Sequence, residues 1–216
     1  MERICEAELM DDLAQVEAYG AADFSSSDRA LVEWIALQFP EGLGENLVDL
    51  GCGPGNITFL LAEKYPEARV LGLDGALAML GLAEERRLSE QVRFQEALLP
   101  CPELEGGHTA VISNSLLHHL HDPQVLWQSV RQLGAPGAVV VIHDLRRPSN
   151  ETEQGALVER YAAGAPPILR RDYSQSLRAA FTLEEVRQQL ALAGLSELQL
   201  AERQDRYLVV WGRLTP

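Results

Sequence analysis

Leu47-Val-Asp-Leu-Gly-Cys-Gly-Pro-Gly-Asn56 is the stretch on which the rest of the chain depends. Leu47, Val48 and Leu50 form the short apolar run that a parallel strand buries on both faces. The run stops at Gly51, Gly53 and Gly55, where the missing Cβ atoms let the backbone turn tightly and approach a ligand. Ile57, Leu60, Leu61 and Tyr65 then share one helical stripe, which Pro66 ends. A strand, a glycine turn and a helix N-terminus together predict an edge that holds a cofactor.

Downstream the same rhythm repeats. Arg69 to Asp74 reads as a second buried strand ending in a carboxylate, 23 residues past Gly51. That is about where an acid gripping ribose hydroxyls is expected in a nucleotide-binding βαβ unit, although an acid there also suits the cap of the next helix. A helix from Ala76 to about Leu88, a third strand Gln91–Gln95 ending at Glu96-Ala97, and a fourth strand Thr109–Asn114 follow. Ser115–Asp122 forms a loop or helical turn, and Pro123 suits the first turn of a helix running to Leu133. Gly134 to Gly137 break it, and Ala138–Asp144 is the most apolar strand, hence an interior one. Strands alternating with helices predict a parallel, doubly wound α/β sheet, and right-handed crossovers leave few other topologies.

Upstream, residues 1–20 read as an amphipathic helix with Ile4, Leu9, Leu13, Val16 and Tyr19 on one face. Ser25 and Asp28 have capping-box spacing for a second helix through Phe39. The two helices either cap the glycine loop or cover a sheet face. Residues 146–180 interrupt the alternation with Arg146-Arg-Pro-Ser-Asn, a short helix around Leu157–Ala163, and Arg170-Arg-Asp-Tyr-Ser-Gln-Ser. An insertion of that length is disproportionately functional. Thr182 with Glu185 opens a helix that Gly194 closes. Two last strands, near Ser196–Ala201 and Arg206–Arg213, are joined by so few residues that one must run antiparallel.

The 216 residues suit a single domain: a helical cap (1–40), a cofactor-binding core (41–145), a substrate-side insertion (146–180) and a C-terminal helix and hairpin (181–216). No apolar run approaches the roughly 20 residues of a membrane helix. Cys5, Cys52 and Cys101 are odd in number and widely spaced, and the N-terminus lacks the apolar core of a signal peptide, so a reduced, cytoplasmic protein is expected. The net charge is −14; residues 1–110 carry 21 acidic against 7 basic residues, and residues 111–216 carry 11 of each. So acidic a surface repels phosphate backbones and argues against nucleic acid as a partner.

Val48-Asp-Leu-Gly-Cys-Gly-Pro-Gly55, Leu71-Gly-Leu-Asp74, Gln95-Glu-Ala97, Ser113-Asn-Ser-Leu-Leu-His-His-Leu120 and Leu133-Gly-Ala-Pro-Gly137 occur in an order and spacing that resembles the class I S-adenosylmethionine-dependent methyltransferases. The resemblance implies a Rossmann-like, seven-stranded, mostly parallel sheet with one antiparallel strand in a C-terminal hairpin and helices on both faces. It implies S-adenosylmethionine as cofactor. Gly51, Gly53 and Gly55 would let the backbone approach its methionine part, Cys52 and Asn56 would belong to the same cofactor site, and Asp49 would sit near the amino group. Asp74 would take the ribose hydroxyls, Gly75 would offer its N–H, Glu96 and Ala97 would meet the adenine, and Asn114 would face the methionine end. Glu96 stands where Asp is commoner in the family, and Gly75 where a larger polar residue is usual. The spacing G-x-G-x-G, without a further glycine, argues against the G-x-G-x-x-G of NAD-dependent oxidoreductases. A non-catalytic cofactor-binding or interaction protein on the same fold is the other alternative.

Methyl transfer from a sulfonium is an in-line displacement that needs positioning and dryness, and a base only where the nucleophile arrives protonated. His143 and Asp144, at the end of the fifth strand, are base candidates, with His119 next among His118, His119 and His121. The His-His-x-His-Asp tract invites a metal, but adjacent histidines in a turn diverge, and no metal is expected. A small-molecule acceptor is expected over the C-terminal edge of the sheet, where Arg146 and Arg170, with Arg147 and Arg171, would bind a carboxylate or phosphate. Alternatively, these arginines only offset the acidic surface. Tyr19, Tyr161 and Tyr173 are lid candidates, and a monomer or homodimer is expected.

Overall fold

A computed structural model describes residues 1–215. Seven strands form one sheet in the order β3-β2-β1-β4-β5-β7-β6: β1 (Asn46–Leu50), β2 (Arg69–Asp74), β3 (Val92–Glu96), β4 (His108–Asn114), β5 (Gly134–Leu145), β6 (Gln199–Arg203) and β7 (Tyr207–Arg213). All neighbouring pairs up to β5 are parallel, and β7 runs antiparallel to both β5 and β6. The strand order reverses beside β1, and β1 and β4 are neighbours there. That switch point is where the C-terminal strand ends splay to leave a crevice.

Side chains alternate across the sheet, so each strand feeds two cores. Val48 and Leu50 of β1 join Val140 and Ile142 of β5 beneath α5 (Gln124–Leu133) and α8 (Leu183–Ala193). Leu47 joins Val139 and Val141 on the opposite face, under α2 (Ser25–Gln38) and α3 (Asn56–Lys64). Asp49 therefore projects toward α3, among apolar groups.

The sequence expectations hold for the sheet and fail at three helices. Residues 1–12 are not helical; only α1 (Leu13–Ala21) is, capped by Asp12, whose carboxylate accepts from the Gln15 N–H. Ile4 and Leu9 are partly exposed, so the apparent apolar stripe was not a buried face. Ser25 and Asp28 form no capping box: Phe24 takes the N-cap place without a side-chain bond, and Asp28 turns inward. The segment 146–180 holds two helices, α6 (Glu151–Ala162) and α7 (Pro167–Ala179), rather than one. Pro167 is the first residue of α7, where its fixed φ and missing N–H cost nothing. The helix between β2 and β3 is α4 (Leu77–Arg86).

The two N-terminal helices pack on different surfaces. Leu31, Val32 and Ile35 of α2 pack into the core on one sheet face. Val16 of α1 packs instead with Ala76 and Met79 at the start of α4, above the strand ends. No helix among the described residues is long and apolar enough to cross a membrane.

Candidate active site

A cavity of about 1380 Å³ opens at the C-terminal ends of the parallel strands. Its floor is the loop after β1. Gly51 and Cys52 donate their N–H groups to the Leu73 carbonyl at 2.8 and 3.0 Å, which ties the loop to β2. Gly53 has φ +52°, and a Cβ there would meet no protein atom within 4 Å. The space that this glycine keeps clear is thus cavity, as a ligand in contact with the backbone requires. Gly51 has φ +67°, and a side chain would collide with Leu116.

Asp74 organises the loop. One carboxylate oxygen accepts from the Gly53 N–H and the other from the Ala76 N–H, each at 2.8 Å. Burial raises its pKa, and the N–H bonds from Ala76, Gly53 and Gly75 oppose that. Each oxygen keeps a further lone pair for a ligand hydroxyl. Asp49 is buried, accepts from the Thr58 hydroxyl at 2.6 Å, and is pushed up to about 7 by burial, with Asp74 and Asp28 adding repulsion. Asp28 is itself pushed up to about 6 by burial. Three carboxyl groups around one loop set up a site that favours a cation.

Asp49, Gly51, Cys52, Gly53, Asn56, Asp74, Gly75, Ala97 and Asn114 line the cavity. Two others do not. Gly55 packs away from it, because a Cβ there would meet Phe59 and Phe94 at 2.8 Å; its φ of +83° serves the N-cap of α3. Glu96 is exposed at the end of β3, while its neighbour Ala97 faces inward, since successive side chains point to opposite faces.

The catalytic candidates separate. His143 lines the cavity, but its Nδ1 meets Asn114 Oδ1 at 2.8 Å and its Nε2 meets Arg203 at 3.3 Å. Burial and the arginine hold it neutral, down to about 3. Asp144 stays outside the lining: it accepts the Leu117 N–H at 2.7 Å and contacts His118 Nδ1 at 2.5 Å, so it positions the turn Leu117–His119. His119 lines the cavity and is pushed down to about 3 by burial, then by neighbouring His118.

His118 differs from both. Burial opposes its charge, yet Asp144 on one side and Glu6 at 3.5 Å on the other outweigh burial and raise its pKa. Glu6 comes from the N-terminal segment, which no local pattern linked to the His tract. Glu6, His118 and His119 each present a ligand atom within 4.8 Å of one another. His118 stands between the carboxyl groups of Asp144 and Glu6, and these two contacts account for the geometry of the cluster. His121 and Asp122 stand apart from the cluster: His121 Nε2 meets the Glu6 carbonyl at 2.7 Å, and Asp122 accepts the Gln124 N–H at 2.9 Å.

On the substrate side, Tyr19, Tyr161 and Tyr173 line the cavity. Arg146 and Arg170 do not. Arg146 donates to the Asp205 carbonyl at 3.1 Å, and Arg170 to Glu159 at 2.6 Å; Arg147 and Arg171 are paired with Glu185 and Asp172. Each of the four thus has a carboxylate within 4 Å: Glu153 and Glu202 for Arg146, Glu185 for Arg147, Glu159 for Arg170 and Asp172 for Arg171. The arginine that does face the cavity is Arg206, at the turn into β7, outside the segment where a basic cluster drew attention.

Residues 48–140 match the sequence model of a methyltransferase domain. The chain is 39% identical over 126 residues to a trans-aconitate 2-methyltransferase of Methylobacterium nodulans, covering 58% of this chain and 46% of that one. It is 36% identical over 148 residues to one of Deinococcus radiodurans, covering 60% and 55%. The chain thus spans about half the length of these curated relatives. A SAM-dependent methyltransferase of Aquifex aeolicus superposes with a TM-score of 0.68 at 17% identity, over 94% of this chain and 99% of that one. A plantazolicin methyltransferase in complex with a triazolic desmethylPZN analogue and SAH superposes with a TM-score of 0.69 at 13% identity, over 94% of this chain and 91% of that one. Residues 48–140 thus match a methyltransferase domain, and the sheet order with its single reversed strand is that of the class I S-adenosylmethionine-dependent methyltransferase fold.

Proposed function

We propose that the chain binds S-adenosylmethionine on the loop after β1 and transfers its methyl group to a small-molecule acceptor by in-line displacement. The observation that carries this reading is the pairing of Asp74 with the Gly53 N–H across a loop whose glycine leaves open cavity above it. Asp74 is then the acceptor for ribose hydroxyls, and Asp49 the charge nearest the cofactor's ammonium group. The relatives' names supply a candidate acceptor, trans-aconitate.

In this mechanism the nucleophile's lone pair attacks the methyl carbon, the carbon–sulfur bond breaks, and its electron pair stays on sulfur as a neutral thioether. The chain's part is to align the two reactants and keep water out. His119 and His143 are weak bases in this setting, so a nucleophile that arrives already ionised suits the site best.

The test is thermal unfolding with S-adenosylmethionine, S-adenosylhomocysteine and NAD, on wild type and Asp74→Ala. Saturation at about 100 times the dissociation constant adds roughly 2.7 kcal/mol, or a rise of roughly 5–11 °C for a chain of this size. The rise is expected with the two sulfur compounds alone and is expected to shrink in the variant, which forfeits roughly 1.5–3 kcal/mol of hydrogen bonding to a charged group. A rise with NAD alone would overturn the reading in favour of an oxidoreductase. Cofactor binding without turnover of any acceptor would leave a non-catalytic binding protein.

A further inference from the structure

Arg206 is where the cavity's charge changes sign. Among the described residues it is the only lysine or arginine in the lining, against seven acidic residues. Unlike Arg146, Arg147, Arg170 and Arg171, it has no carboxylate within ion-pairing distance among the described residues. Its guanidinium lies 3.7 Å from the centre of the Tyr161 ring, 4.7 Å from Tyr207 and 5.7 Å from Tyr173. Its one side-chain hydrogen bond runs from Nη1 to the Tyr173 hydroxyl at 3.4 Å, and its Nε is buried without a partner.

Three aromatic rings strip water from this cation without neutralising it. Arginine presents five N–H donors in a planar fork that matches a carboxylate. Leaving the buried Nε donor unfilled costs free energy that a bound carboxylate returns through charge-assisted, bidentate bonds. The Tyr173 hydroxyl accepts from Arg206 and keeps its own proton for a second contact, while the Tyr161 hydroxyl is committed to Asp205 at 2.6 Å. The rings come from α6, α7 and β7, the elements opposite the glycine loop, so an anion here would extend toward the cofactor rather than overlap it.

We infer that Arg206, with the Tyr173 hydroxyl, anchors a carboxylate of the acceptor, and that the acceptor is a di- or tricarboxylic acid whose second carboxylate takes the methyl group. The inference rests on the methyl-transfer reading above. The step balances without a base: a carboxylate oxygen forms the bond to the methyl carbon, the carbon–sulfur bond breaks with its pair retained by sulfur, and a methyl ester results with no proton released. That agrees with the depressed basicity of His119 and His143, the two imidazoles that burial holds neutral in the lining. Stacking on three tyrosines also pins the β6–β7 turn to α6 and α7, so a purely structural role must be separated from an anion-binding one.

The experiment titrates the full chain, saturated with S-adenosylhomocysteine, with succinate, trans-aconitate and trimethyl trans-aconitate, for wild type, Arg206→Ala and Arg206→Lys. One of the two free acids is expected to saturate and the triester is not. Arg206→Ala is expected to weaken the acid by about tenfold or more, as for a lost charge-assisted pair, with Arg206→Lys between and the S-adenosylhomocysteine affinity within about twofold of wild type throughout. Equal binding of acid by Arg206→Ala, equal binding of the triester, or saturation by neither acid while the cofactor product binds would each overturn the inference. If Arg206→Ala loses both ligands its fold has failed, and Arg206→Lys decides: acid binding at wild-type strength overturns the inference. If wild type does not bind S-adenosylhomocysteine, the methyltransferase reading falls and this inference falls with it.

Discussion

Asp49 lies on an interior strand with 1% of its surface exposed, and among the described residues its only direct side-chain partner is the Thr58 hydroxyl. Burial raises its folded pKa to about 7, well above the ordinary carboxyl value. Between about pH 4 and pH 7 the folded chain therefore holds a proton that the unfolded chain has released, so this group's contribution to stability falls as pH rises through that window and levels off above it. Asn in its place keeps an acceptor for Thr58 and cannot ionise. Asp49→Asn is expected to raise the unfolding midpoint of the ligand-free chain at pH 8 and to leave it nearly unchanged at pH 4. At roughly 2–4 °C per kcal/mol, a gain of that kind is readily seen by calorimetry. A cationic cofactor asks for the opposite state, the ionised one. Affinity for S-adenosylmethionine is expected to rise from pH 6 to pH 8 in wild type and to flatten in the variant. Asp28, pushed up to about 6, titrates in the same range, so the difference between the two proteins isolates Asp49. A variant whose pH profile matched wild type would show that Asp49 is not the titrating group.

The N-terminal strap, residues 1–12, is an element that the sequence did not disclose. Arg3 donates to the carbonyls of Ala179 at 2.5 Å, His118 at 3.1 Å and Leu120 at 2.9 Å, and lies 3.8 Å over the Phe181 ring. One side chain thus clamps the C-terminus of α7 to the turn that carries His118 and His119. Glu6 follows, within reach of both histidines and of the Ser176 hydroxyl. Arg3→Ala leaves three carbonyls short of a donor and is expected to cost about 1–3 kcal/mol, with hydrogen exchange rising first at Leu117–Leu120. Uniform exchange across the chain would refute a local clamp. The strands were legible because period-2 burial and glycine punctuation are local signals, and so was the Thr182–Glu185 capping box, which forms as its spacing predicts. The strap was not, because its apolar residues happen to fall at helical spacing while its hydrogen bonds go to residues more than 100 positions away. The same limit governs the site. Gly53, Asp74 and Asn114 follow from motif and strand end, whereas the pairing of Arg146 and Arg170 with carboxylates, and the orphaning of Arg206, depend on which helices meet. His143 shows the difference within one residue: its place at a strand end was readable, its two bound nitrogens were not.

At the scale of the whole molecule, the charge of −14 acts on cofactor and product differently. S-adenosylmethionine carries sulfonium, ammonium and carboxylate and is a net cation near neutrality. S-adenosylhomocysteine has lost the sulfonium charge and is net neutral. Their shapes are nearly the same, so the contacts that hold them are nearly shared, and what separates them is the field of an acidic protein focused into a cleft with seven acidic lining residues. The Debye length shrinks from about 30 Å at 0.01 M salt to about 8 Å at 0.15 M, which screens the distant charges first. Raising sodium chloride from 10 to 300 mM is therefore expected to weaken S-adenosylmethionine by several-fold and S-adenosylhomocysteine by less than about twofold, measured side by side by calorimetry. Equal salt slopes would mean that the field does not reach the site. Unequal slopes would mean that methyl transfer itself discharges the ligand, so that the acidic cavity draws the donor in and relaxes its hold once the methyl group has left. The same field opposes an anionic acceptor, and a cation already bound on the glycine loop offsets part of it. Arg206 and the sulfonium are then the two positive charges between which a carboxylic acid can be held, one at each end of an otherwise acidic cavity.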